Sequence, residues 1–138
     1  MLDREFIELS QMQLQRAGEL LTEAAALISL EAYNSSVNRA YYAAFHAIKA
    51  VEALDNYDSK RHAGVIQFFR QNYIKTGLFD KSLSGKIDRL QNARGDSDYN
   101  ITVRFTSEDA NAYLKESTII VKAIEEYLHV KYMETANT

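Results

Sequence analysis

The sequence predicts an all-α protein, an up-and-down bundle of four to five helices, and three observations carry that expectation. The 138 residues contain no proline and five glycines, so helix breakers are scarce. Apolar residues recur every three and four positions rather than every two. Polar, cap-forming stretches (YNSS, DNYDS, and TS at 106–107) punctuate the chain where helices would begin and end. With 46% hydrophobic residues, a chain of this length can bury one core, and a single domain is expected over residues 1–132, with 133–138 as a frayed tail.

The elements follow in order. Leu14, Ala17, Leu21, Ala24 and Ile28 share one face and place a long first helix at about 3–31. YNSS ends it, and Asn34 or Ser35 is expected to cap a second helix, about 35–54, by accepting a bond from a first-turn N–H. After the polar DNYDS, Ser59 is placed to cap a third helix carrying Val65, Ile66, Phe68, Phe69 and Tyr73, which Gly77 would close in the left-handed conformation. A fourth, shorter helix presents Leu83, Ile87 and Leu90. GDSDYNITVRFT has no helical period and reads as a connection of about twelve residues up to a start signal at Thr106 or Ser107. The last helix shows Ala110, Tyr113, Ser117, Ile120, Ile124 and Tyr127 on one face.

Charge and composition exclude several functions. The net charge of −3 lacks the whole-chain basic footprint of a duplex-DNA binder, although a local basic pocket is compatible with it. Without cysteine there is no disulfide framework, thiolate metal site or cysteine nucleophile. MLDREFIEL has no apolar core of a signal peptide, and the longest apolar run, AYYAAF, is far too short to span a membrane, so a cytoplasmic protein is expected. His46, His62 and His129 have no ligand spacing, and no phosphate loop, HExxH pair or nucleophile elbow occurs; neither a metal nor a cofactor is expected.

Two anomalies interrupt the apolar pattern. On the second helix Val37, Ala40, Ala44, Ala47, Ile48, Val51 and Leu54 cover one broad side, extended by Tyr41 and Phe45. Arg39, Ala43, His46 and Ala50 fall within about 60° of each other on the remaining side, with Tyr42 at the margin. The alanines admit a close backbone, and an arginine there must meet an acid or line a wet pocket, because an unpaired buried charge costs several kcal/mol. On the fourth helix Arg94 continues the stripe of Ile87 and Leu90, one residue before Gly95. It is either a cation favoured by the helix C-terminal dipole or an inward-facing arginine, and Asp96, Asp98 and Tyr99 follow it. Two such arginines build either an ion-pair network or an anion pocket. KRH at 60–62 is a phosphate site at a helix start or a solvated first turn.

NRAYYAAFHAIKAVEAL, SKRHAGVIQFFRQNYIKTG, LQNARGDSDY and TSEDANAYLKES, in that order over about residues 12–128, resemble the small stand-alone branch of the HEPN superfamily (higher eukaryotes and prokaryotes nucleotide-binding). The resemblance implies a four- to five-helix bundle that homodimerises, a nucleotide or RNA ligand, and a minimal nucleotidyltransferase as partner in a toxin–antitoxin-type pair. Several branches are metal-independent ribonucleases with an arginine followed, after four to six residues, by a histidine. Arg94 matches the motif arginine, but Gly95 to Asn100 hold no histidine and the next is His129. RNA cleavage through the 2′-hydroxyl needs groups to take and return a proton. On this resemblance Arg94, Asp98 and Tyr99 are the catalytic candidates, and His46 or His62 would supply the missing group if the fold brings it to Arg94. Tyr99 also lies near the tyrosine that the nucleotidyltransferase modifies in some two-gene systems. The ligand-binding candidates are Arg39, Tyr42, His46, His62 and Arg94. Three functions are therefore weighed: a phosphate-binding HEPN protein, a ribonuclease with a degenerate motif, and a non-catalytic helical interaction module.

Overall fold

The computed structural model describes residues 3–136, and within them the chain forms five α-helices and no strand. Helix α1 spans Arg4–Ser29, α2 Tyr33–Leu54, α3 His62–Phe69 with a π-helical turn Arg70–Ile74 continuing it, α4 Ser82–Tyr99 and α5 Ser107–Ala136. The all-α bundle anticipated from the apolar spacing is the one formed. Helix α5 continues through Ala136, and the last two residues of the tail expected to fray lie outside the described residues.

Local chemistry accounts for the boundaries. Asp3 caps α1 by accepting from the Glu5 N–H at 2.8 Å. Thr106 and Asp109 cap α5 reciprocally, the Asp109 N–H donating to Thr106 Oγ1 at 3.1 Å and the Thr106 N–H to Asp109 Oδ2 at 2.9 Å. Gly77 takes the left-handed conformation expected of it, at φ +84°.

Three expectations need correction. Helix α2 starts at Tyr33, and neither Asn34 nor Ser35 caps it. The Asn34 amide instead donates to the Val103 carbonyl at 2.9 Å and accepts from the Phe105 N–H at 3.0 Å, serving connection groups that have no ladder partner. Ser59 accepts from the Arg61 N–H at 3.2 Å, but Arg61 is the N-cap residue of α3. Most consequentially, α4 does not stop at Gly95. It runs four residues further, to Tyr99, so the α4–α5 connection is only about half as long as expected. A mid-helix glycine costs about 1 kcal/mol, of which the Arg94–Asp98 pair one turn apart returns about 0.2–0.5 kcal/mol; Ser97 Oγ donates back to the Arg94 carbonyl at 3.1 Å.

Helix α2 is the centre of the bundle and packs against the other four helices. Val37, Ala40, Ala43, Ala47 and Ala50 are all fully buried, and the small side chains let α1 approach closely, as expected of Ala43 and Ala50. Phe69, Leu90, Ile120, Ile124 and Leu128 fill the space around it. Three buried serines pin the packing by donating to carbonyls of facing helices: Ser10 to Ala50 at 2.6 Å, Ser36 to Ala24 at 2.8 Å and Ser117 to Ala40 at 2.6 Å.

Candidate functional site

The candidate site lies where the middle of α2 meets the start of α3 and the last turns of α4. Its centre is Arg94, whose guanidinium carbon sits 5.5 Å from the ring centre of Tyr41, 5.6 Å from that of Tyr42 and 5.5 Å from that of Tyr99. Three aromatic faces thus surround one cation, an arrangement whose attraction grows as water is excluded. Nη2 donates to the hydroxyls of Tyr42 at 3.1 Å and Tyr99 at 3.4 Å. The Asp98 carboxylate lies 3.0 Å from Nε but off the N–H axis, so it contributes charge more than a hydrogen bond. Nη1 takes no hydrogen-bond partner among the described residues.

Extension of α4 through Gly95 is what builds this centre. It brings Asp98 round to Arg94 and leaves Tyr99 about 75% exposed beside the guanidinium. Asp98 is held in turn by Asn38 of α2, whose Nδ2 donates to Oδ1 at 2.9 Å, while Asn38 Oδ1 accepts from Arg39 Nη1 at 2.7 Å. Asp96 makes no comparable contact.

His62 joins the cluster from the first residue of α3. Its ring stacks on Phe45 at 4.2 Å and stands against the same Tyr41 and Tyr42 rings that Arg94 faces, at 5.9 and 5.7 Å. Nδ1 shares a 3.0 Å hydrogen bond with the Tyr41 hydroxyl, which leaves Nε2 available. Burial, then the Arg94 charge, then Lys49 hold the imidazole below its ordinary pKa of 6.5, so it is neutral at pH 7. Burial also pushes the Tyr41 hydroxyl up to about 12, against the pull of Arg94, so Tyr41 stays protonated.

Of the residues singled out by sequence, Arg94, Asp98, Tyr99, Tyr42 and His62 therefore form one cluster. Arg39 reaches it only through Asn38 and Asp98, because its Nε is paired with Glu23 of α1 at 3.2 Å. His46 bonds Gln13 of α1 through Nδ1 at 2.6 Å, and burial, then Lys49, Arg16 and His62, lower its pKa. Sequence reasoning missed Asn38 and Tyr41: the first has no pattern to mark it, and the second sits at core spacing, which hides its hydroxyl. No group of acids and histidines able to hold a metal ion occurs among the described residues, nor is any described helix long and apolar enough to cross a membrane.

Comparison with known proteins places this geometry in a family. The chain is 32% identical over 128 residues to a protein of Methanocaldococcus jannaschii named "putative toxin", an alignment covering 93% of this chain and 95% of the other. A second M. jannaschii protein with that name is 30% identical over 115 residues, covering 83% and 78%. A UPF0332 protein of Thermotoga maritima is 31% identical over 114 residues, covering 83% and 86%. The family model described as HEPN domain matches residues 10–127, a span that includes α2, α3, α4 and every residue of the Arg94 cluster, and the chain belongs to the HEPN domain family.

Proposed function

We propose that this HEPN protein binds the phosphate of a nucleotide or RNA at Arg94 and acts as the toxin-like member of a pair whose other member is a minimal nucleotidyltransferase. The observation that carries the reading is the free Nη1 edge of Arg94, a guanidinium already oriented by three tyrosine rings and Asp98. A preoriented guanidinium loses less freedom on gripping a phosphate oxygen than a mobile lysine does. Tyr42, Tyr99 and His62 supply neighbouring donors and stacking faces, and Arg39 contributes through the Asn38–Asp98 relay. His46, held by Gln13 of α1, stays outside the cluster. The names of the M. jannaschii relatives support the toxin-like part. The test is a titration with inorganic phosphate and a short 2′-O-methyl RNA: affinity should fall as salt rises, because phosphate contacts release counterions, and should drop in Arg94→Ala. Wild-type protein that binds neither probe would end the reading.

A second reading, a metal-independent ribonuclease with a degenerate motif, is favoured by His62. In the tautomer whose Nδ1–H donates to the Tyr41 oxygen, this neutral imidazole presents a bare Nε2, suited to take the 2′-hydroxyl proton and return it to the departing 5′-oxygen. Cleavage of unmodified RNA that is lost in His62→Gln would support it; intact RNA after long incubation would exclude it.

A further inference from the structure

Helices α3 and α4 both pack on the bundle yet stay apart from each other: no Cα of α3 comes within 8 Å of one of α4. The gap is a crevice of about 290 Å³, lined by Ala63, Ile66, Gln67 and Arg70 from α3 and its π-helical extension, and by Gln91 from α4. Positions 63, 66, 67 and 70 share one helical face, so the crevice follows the helix axis. One end is closed where Arg70 pairs with Asp88 and its Nη2 donates to the Ser84 carbonyl at 3.3 Å. At the other end stand the two residues that share the tyrosine rings: His62 immediately precedes Ala63, and Arg94 follows Gln91 by three residues, about 5 Å of helix rise.

We propose that this crevice is a nucleobase subsite that favours adenine, a proposal that rests on the phosphate reading of Arg94. Its volume lies at the low end of small-molecule pockets, about 300–1,000 Å³, and suits one base rather than a whole dinucleotide. Ala63 and Ile66 offer an apolar floor for the face of a ring. The carboxamides of Gln67 and Gln91 make no hydrogen bond among the described residues. A carboxamide presents one donor and one acceptor side by side, the complement of adenine N7 and its N6 amino group, whereas guanine is read by a free arginine fork. Arg70 is not such a fork, since Asp88 and the Ser84 carbonyl occupy its Nη2. A base in the crevice would leave its own phosphate at the Arg94 end, one helical turn away, which is the scale of a single nucleotide.

The experiment titrates wild type, Gln91→Leu, Gln67→Leu and Arg94→Ala with AMP, GMP, adenosine and inorganic phosphate by calorimetry, with circular dichroism checking each fold. AMP should bind at least tenfold more tightly than GMP or phosphate. The glutamine variants should lose at least tenfold for AMP and adenosine while holding phosphate affinity within twofold. Arg94→Ala should lose AMP and phosphate but keep residual adenosine binding. Equal affinity for AMP and GMP, or glutamine variants that bind AMP as wild type does, would overturn the subsite and leave the phosphate reading standing. Adenosine binding that depends on the glutamines, together with phosphate affinity unmoved by Arg94→Ala, would do the reverse. Absence of binding to every probe would overturn both.

Discussion

The Asp98 carboxylate lies 3.0 Å from Nε of Arg94, one turn back on the same helix, and about a quarter of each side chain remains exposed. That degree of exposure decides how the pair should respond to substitution. Breaking a fully buried pair costs roughly 3–5 kcal/mol because a charge is stranded without water. Here Asp98 keeps solvent and Asn38. Arg94→Ala is therefore expected to lower stability by only about 1–2 kcal/mol in urea titration, and to weaken phosphate or RNA binding by about 1–3 kcal/mol, the scale of a lost charge-assisted hydrogen bond. A loss of stability on the buried-pair scale, in a protein whose wild type binds no anion, would identify Arg94 as structural and support a purely interacting module.

His62 reports on the same cluster by titration. Its pKa, followed by the NMR shifts of the ring, is expected below 6.5, since burial, Arg94 and Lys49 all disfavour the cation. Arg94→Ala removes one of these and should raise the value. Because the folded pKa is depressed, the linked stability is present above pH 6.5 and is lost as pH falls through the folded pKa. An unchanged His62 titration in the variant would show that the two groups do not interact.

Glu52 should make stability fall in the opposite direction. It is 1% exposed on the last turn of α2, Oε2 has no hydrogen-bond partner among the described residues, and burial raises its pKa to about 9 against the pull of Lys49. With a folded pKa above the ordinary 4.5, the folded state holds the proton, so this contribution is fully present below pH 4.5 and declines as pH rises toward about 9. Glu52→Gln removes the titration and should raise stability at pH 8 by more than about 1 kcal/mol, the worth of one pKa unit. Parallel pH–stability curves for the two proteins would refute this.

The buried serines should each carry a modest load. Ser117→Ala deletes the bond to the Ala40 carbonyl, an acceptor that sits inside α2, and is expected to cost about 0.5–1.5 kcal/mol by chemical denaturation. A neutral result would mean that α5 is held on α2 by apolar packing alone.

A homodimer is expected in solution, with exposed Tyr99 and Ile101, 75% and 85% accessible, available at the end of α4. Light scattering at high micromolar concentration should give twice the monomer mass, and a monomer there would count against it.

Helix order, inward faces and the central place of α2 were legible along the chain, because burial of an amphipathic stripe is a local periodicity that Leu14, Ala17 and Leu21, or Ile120 and Ile124, display by themselves. Arg94 was legible for the same reason, as a cation where an apolar residue belongs. The end of α4 was not. Gly95 reads as a stop, but the helix runs on to Tyr99, where Asp98 pairs back to Arg94 and is met by Asn38 from another helix. The partners of the remaining candidates were equally invisible, because they are chosen across helices. Arg39 meets Glu23, His46 meets Gln13, and His62 meets Tyr41 at sequence separations of 16, 33 and 21. Spacing along a chain determines which face a side chain takes. Which group stands opposite depends on how helices dock, and here that docking gathered Arg94, Tyr42 and His62 while drawing Arg39 and His46 toward α1.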